Sequence, residues 1–106
     1  MITVLYHRDR SRVSINGHAY SGEKGHDLVC ASTSILAHTL VALIKNMEKE
    51  GHIKYPTIEL GSGDALISCN VPNRYKPTVT FAIDAICAGF ELLAQSYPDN
   101  ISYEIR

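Results

Sequence analysis

Cys30 and His18 are the two residues whose chemical types and positions could support catalysis. His18 follows Gly17 at the expected end of a strand, and Cys30 lies at the expected start of a helix, after a glycine-containing segment. A thiol is strongly nucleophilic only as the thiolate, and both a helix N-terminus and a nearby imidazole lower a thiol pKa. The pattern predicts a small cysteine hydrolase with Cys30 as nucleophile and His18 as base.

Each residue of this candidate site also has an ordinary interpretation. Cys30 could be a small buried residue and His18 a surface histidine, because a twelve-residue separation does not enforce contact. His26 is a competing base. Asp27 could cap the helix or orient the imidazole of His18, and Ser34 could bond to the sulfur or to substrate, or be a plain helix serine. The sequence alone leaves these alternatives open.

The other cysteines favour a structural role. Cys69 falls in an alternating, strand-like stretch and Cys87 in the apolar stripe of a helix, so we expect both to be small buried hydrophobes. Three widely spaced cysteines without a CxxC pair argue against a disulfide framework and a zinc ribbon. A metal site using His18, His26 and Cys30 would lack a fourth ligand at a usual spacing, so no metal and no organic cofactor is expected.

Length and composition indicate one small domain over residues 1–106. The chain has 106 residues, 45% of them hydrophobic, and ten basic against eleven acidic side chains give a net charge of -1. Neither sign forms a long run, which disfavours nucleic-acid binding. No uninterrupted apolar run reaches the ~18 to 20 residues needed to cross a bilayer, and no signal-peptide pattern opens the chain. We therefore expect a cytoplasmic protein without membrane contact.

Hydrophobic periodicity in the first half predicts two strands and a helix. Residues 2–6 and 13–15 alternate between apolar and polar types, and the turn-forming stretch 9–11 separates them, which predicts a β-hairpin. From about Asp27 to Glu50, apolar residues recur at helical spacing, and Gly51 is a plausible C-cap.

The second half repeats that order and adds a strand. Residues 57–60 and 65–70 predict a second hairpin around Gly61-Ser62-Gly63-Asp64, and apolar steps of four and three over 79–97 predict a helix after Pro77. Residues 101–105 supply a last alternating strand. The predicted fold is α+β in the order ββαββαβ, with two layers: a mostly antiparallel sheet covered on one face by two helices.

The segment around Cys30 also carries a family pattern. Gly17-His18-Ala19, followed by Gly25-His26-Asp27-Leu28-Val29-Cys30-Ala31 and Ser34, resembles the ribosomal-processing cysteine protease (Prp) family in its GHA…G.D.VCA..S motif. The resemblance covers nearly the whole chain in length, opening hairpin and order of elements.

This resemblance implies an activity and a site. It implies a cysteine endopeptidase that removes a short N-terminal extension from a large-subunit ribosomal protein, with Cys30 as nucleophile, His18 as its partner, and a homodimeric assembly. The precursor peptide would be the partner, with no direct contact to nucleic acid. It also implies a mobile loop that orders over substrate, formed by Ala19, Tyr20, Ser21, Gly22, Glu23, Lys24 and Gly25. The rival hypothesis is a non-enzymatic, ribosome-associated binding module of the same fold.

Overall fold

The computed structural model describes residues 1–18 and 28–106. Its helices and strands are β1 (Ile2–His7), β2 (Arg12–Asn16), α1 (Leu28–Lys49), β3 (Lys54–Gly61), β4 (Asp64–Asn70), α2 (Lys76–Ser96) and β5 (Ile101–Ile105). The predicted order ββαββαβ and the α+β class are confirmed.

The five strands form one sheet in the order β3-β4-β2-β1-β5. β1 pairs antiparallel with β2, β2 with β4, and β4 with β3, whereas β5 lies parallel to β1. The sheet is thus mostly antiparallel, as predicted, with one parallel pair at its edge. Because α2 precedes β5, it provides the crossover connection that a parallel strand requires.

The core lies between the sheet and the two helices. Alternate residues along the central strands are buried, because successive strand side chains point to opposite faces. In the helices, buried residues recur every three or four positions and so form one face. The largest fully buried side chains are those of Tyr6, Phe90, Leu40, Ile44, Ile67, Ile83 and Ile101.

The end of α1 follows the sequence prediction at Gly51. Gly51 has a φ of +79°, its N–H donates to the carbonyl oxygen of Glu48, and the N–H of His52 donates to that of Met47. This pair of hydrogen bonds is the Schellman arrangement, in which a left-handed residue closes the helix. Glycine adopts that conformation without the steric cost that a Cβ atom adds.

Two other boundaries differ from the sequence pattern. β3 begins at Lys54, earlier than the predicted Thr57, with an irregular register between these two residues. α2 begins at Lys76, so Pro77 lies inside its first turn and not before it. Proline is tolerated there because the first helical N–H groups have no partner within the helix.

A polar cluster joins α2 to the first strand. The hydroxyl of Tyr6 donates to Asp84 Oδ1 at 2.9 Å, and Arg8 donates to both oxygens of the same carboxylate at 2.9–3.2 Å. Bonding to Arg8 holds the pKa of Asp84 below its usual range, and burial raises the pKa of Tyr6. Asp84 is therefore ionised at neutral pH and accepts a hydrogen bond from the Tyr6 hydroxyl, which keeps its proton.

By length and composition alone, both helices are apolar enough to cross a membrane, although neither contains an uninterrupted apolar run of 18 residues. Windows within Leu28–Lys49 and Asn73–Ser96 have mean hydropathies of 1.7 and 1.4. In this structure each helix packs one apolar face against the sheet, as core helices of two-layer domains do.

Candidate active site

A cavity of about 310 Å³ opens beside the first half of α1. Its walls come from α1, the start of β1, the end of β2 and the β3–β4 hairpin. The lining residues are Ile2, Ile15, Gly17, His18, Cys30, Thr33, Ser34, Ala37, His38, Leu60, Gly61, Ser62, Gly63, Asp64 and Ala65. The structure thus brings Cys30, His18 and Ser34, all predicted from sequence, to the same cavity.

Cys30 is the third residue of α1 and is half-buried. N–H groups in the first turn of an α-helix have no acceptor within the helix, and together with the helix dipole they favour an anion nearby. A thiolate or the oxyanion of an acyl-transfer intermediate would be stabilised there. Ser34 lies one turn further along and is exposed to the same cavity.

His18 is held at the cavity by the backbone that precedes it. The N–H of Gly17 donates to the carbonyl oxygen of Gly63 at 2.7 Å, which fastens the end of β2 to the β3–β4 turn. Gly17 has a φ of +104°, and a Cβ atom there would clash with the carbonyl oxygen of Met1. Glycine is therefore required where the chain passes this close to the N-terminal backbone.

The imidazole of His18 rests directly on Gly63. A Cβ atom placed on Gly63 would lie 2.5 Å from His18 Nε2 and 3.0 Å from Cε1, closer than such atoms approach. Gly63 also has a φ of +81°. The absence of a side chain at Gly63 thus makes room for the ring, and the β3–β4 turn is part of the site.

Comparison with known proteins places this chain in a family. The family model for cysteine protease Prp matches residues 1–102. The chain belongs to the cysteine protease Prp family. The family match therefore makes it a cysteine protease.

Solved structures with the same fold include two of the Prp protease. An essential ribosomal processing protease Prp from S. aureus, with a covalently linked product peptide, matches with a TM-score of 0.77 and 22% identity over 100% of both chains. The same S. aureus protease with a substrate peptide matches with a TM-score of 0.67 and 18% identity, covering 99% of this chain and 97% of that one. SMU.848 from Streptococcus mutans matches with a TM-score of 0.67 and 25% identity, covering 98% of this chain and 90% of that one. No curated protein matches the chain.

Within this Prp-family chain, the three thiols have different surroundings. Cys69 and Cys87 are buried, 5% and 1% exposed, which confirms the sequence prediction for both. Burial raises the pKa of Cys69 to about 11 and that of Cys87 to about 12, so both stay protonated at neutral pH. None of the three cysteines forms a disulfide. Cys30 is the one of the three that lines the cavity.

Several residues of the Prp motif fall outside the described part of the chain. They are Asp27, the competing base His26, and the predicted substrate loop from Ala19 to Gly25. Their predicted roles stay predictions. Among residues 1–18 and 28–106, no three His, Cys, Asp or Glu side chains are grouped to hold a metal ion.

Gly63, Thr33 and His38 are among the cavity residues that the sequence did not identify as part of the site. The sequence pattern predicts only a turn at Gly63, because no neighbouring residue indicates that an imidazole packs on it. Thr33 and His38 line the cavity beside Cys30. Helical spacing could have indicated them, since positions three, four and eight residues after Cys30 share its side of a helix.

We predict that thiol reagents modify Cys30 first in the folded protein. At pH 7.5, iodoacetamide labelling read by peptide mass spectrometry should modify Cys30 well before Cys69 and Cys87, because burial and raised pKa values keep those two thiols protonated and shielded. The Cys30→Ala variant should lose the fast phase. Early labelling of Cys69 or Cys87 would contradict this assignment.

We predict that Gly63→Ala displaces His18 and lowers proteolytic activity. The new methyl group would occupy the space of the imidazole, and a misplaced catalytic group can cost roughly 100-fold in rate. Gly51→Ala is the matched control: its φ is also positive, so both variants should lose ~1–2 kcal/mol of stability, but no atom lies within 4 Å of the added Cβ. Equal loss of activity in both variants would show that His18 placement is not the cause.

Proposed function

We propose that this chain is an endopeptidase that removes a short N-terminal extension from a large-subunit ribosomal protein, using Cys30 and His18. The observation that carries the proposal is that these two residues line one cavity in a chain of the cysteine protease Prp family. The S. aureus structures support the substrate class, because they are described as a ribosomal processing protease with substrate and product peptides.

The reaction would follow the acyl-enzyme route of cysteine proteases. His18 takes the proton from the Cys30 thiol, and the thiolate sulfur attacks the scissile carbonyl carbon. The resulting oxyanion accepts hydrogen bonds from N–H groups in the first turn of α1. His18 then protonates the leaving amine as the C–N bond breaks, and water hydrolyses the thioester with His18 as base.

The other motif residues would support this chemistry. Asp27 would orient the imidazole of His18, as the third member of a catalytic triad does. Ser34 would bond to the substrate backbone or to the sulfur from its position in the cavity wall. The residues from Ala19 to Gly25 would close over the bound peptide and exclude water. The substrate would lie extended in the cavity.

We predict that the purified protein shortens a ribosomal-protein precursor and that Cys30→Ala does not. Product masses after incubation with candidate precursors would identify the cleaved bond. Loss of the thiol removes the nucleophile, so turnover should vanish, and His18→Ala should lower it by a factor of roughly 10² to 10⁴.

Two comparisons decide this prediction. Thermal unfolding of each variant should match the parent protein, which shows that lost turnover is not lost folding. Unchanged cleavage by Cys30→Ala would refute the catalytic role, and activity that survives loss of His18 but not of His26 would reassign the base. Binding of the precursor without cleavage by the parent protein would favour the binding-module hypothesis.

We also propose a cytoplasmic homodimer that does not bind nucleic acid. An apolar stripe on the outer face of α2 supports self-association: Phe81 and Leu92 are 78% and 63% exposed, and Ala85 and Ala88 lie exposed between them. Spacings of four, three and four place these four residues along one line of the helix, and the small alanines permit close approach of another helix. A second copy of the chain would cover this stripe.

We predict that placing charge on the stripe dissociates the dimer. The double variant Phe81→Glu and Leu92→Glu should sediment as a monomer at concentrations where the parent protein is dimeric, because burying unpaired carboxylates is unfavourable. Asn46→Glu, on an exposed position of α1, is the control. A parent protein that is monomeric, or a dimer unaffected by the double substitution, would refute the assignment.

A further inference from the structure

The wall that α1 contributes to the cavity extends well beyond the nucleophile. Cys30, Ser34 and His38 occupy successive turns at intervals of four residues, and all three line the cavity. At 1.5 Å per residue, His38 lies about 12 Å along the helix from Cys30. An extended peptide advances about 3.3 Å per residue, so this distance corresponds to three or four substrate residues from the scissile bond.

The imidazole of His38 is oriented by its own helix. Its Nδ1 lies 2.8 Å from the carbonyl oxygen of Ser34. A carbonyl oxygen only accepts, so Nδ1 carries the proton, and in the neutral ring Nε2 is left as an acceptor. His38 is exposed and thus offers this nitrogen at the cavity.

A second polar side chain lies in the same wall. Thr33 is 6% exposed, and within residues 1–18 and 28–106 its Oγ1 atom is buried without a hydrogen-bond partner. An unsatisfied buried hydroxyl is unfavourable, and valine would fill the same space without this cost. The α1 wall therefore keeps a polar group at Thr33, where an apolar side chain would favour folding.

We propose that His38 is a specificity-determining residue that selects a hydrogen-bonding side chain in the substrate, three or four residues from the scissile bond. The inference rests on the proposed function, because it takes Cys30 as the point of cleavage and the cavity as the peptide-binding groove. A substrate amide such as that of glutamine donates to Nε2 of His38. An aliphatic side chain leaves that nitrogen without a partner and out of water.

Paired peptides test this assignment. Peptides carrying the cleaved sequence would differ only by glutamine or leucine at positions three and four on either side of the scissile bond. For the parent protein, kcat/KM should be about tenfold higher for glutamine than for leucine at one of these positions. This is the ratio that the net free energy of one hydrogen bond produces. His38→Leu should abolish or reverse this preference, and His38→Gln, which retains a polar group, should keep most of it.

The controls separate this inference from the function on which it rests. Lys45→Leu adds an aliphatic side chain to an exposed position of α1 away from the cavity and should leave the preference unchanged. Dissociation constants of the same peptides for Cys30→Ala, with and without His38→Leu, measure selection without cleavage. Cleavage with the same preference in His38→Leu overturns the inference alone. Absence of cleavage overturns the proposed function. In that case the ratio of the dissociation constants of the leucine and glutamine peptides tests the inference, and a ratio that His38→Leu leaves unchanged overturns it.

Discussion

The geometry of the candidate site depends on one close contact, that of the His18 ring with the backbone of Gly63. The contact exists because the end of β2 is hydrogen-bonded to the β3–β4 turn through the N–H of Gly17 and the carbonyl of Gly63. Both glycines have positive φ angles, and a side chain on either would occupy space held by other atoms. A segment distant in sequence thus sets the position of His18, the base in the proposed mechanism.

The three cysteines show how the fold distinguishes chemically identical groups. Cys69 and Cys87 are surrounded by the core, where desolvation disfavours the thiolate. Cys30 is half-buried in the first turn of α1 and lines a cavity, at the end of the helix where the dipole favours an anion. Exposure and helix position, more than residue type, separate a candidate nucleophile from two structural residues.

Much of the fold follows from local patterns. Alternation in β1 and β2, the three-four periodicity of α2 and the glycine at the end of α1 each encode a conformation through neighbouring residues, and the structure agrees with them. Boundaries were less well predicted. The helix was predicted to follow Pro77, yet the first turn of α2 includes this proline, because the first helical N–H groups need no partner within the helix. β3 extends to Lys54 through an irregular pairing that has no period.

The sequence alone determined the order of the elements, the burial of Cys69 and Cys87, and the candidate pair Cys30 and His18, because each depends on local spacing or on a contiguous motif. Only the tertiary structure decided that β5 joins β1 in parallel and that Gly63 supports the His18 ring. The physical reason is that these contacts join segments whose approach depends on how both helices pack on the sheet. The hydrophobic periodicity of a single segment does not predict such contacts.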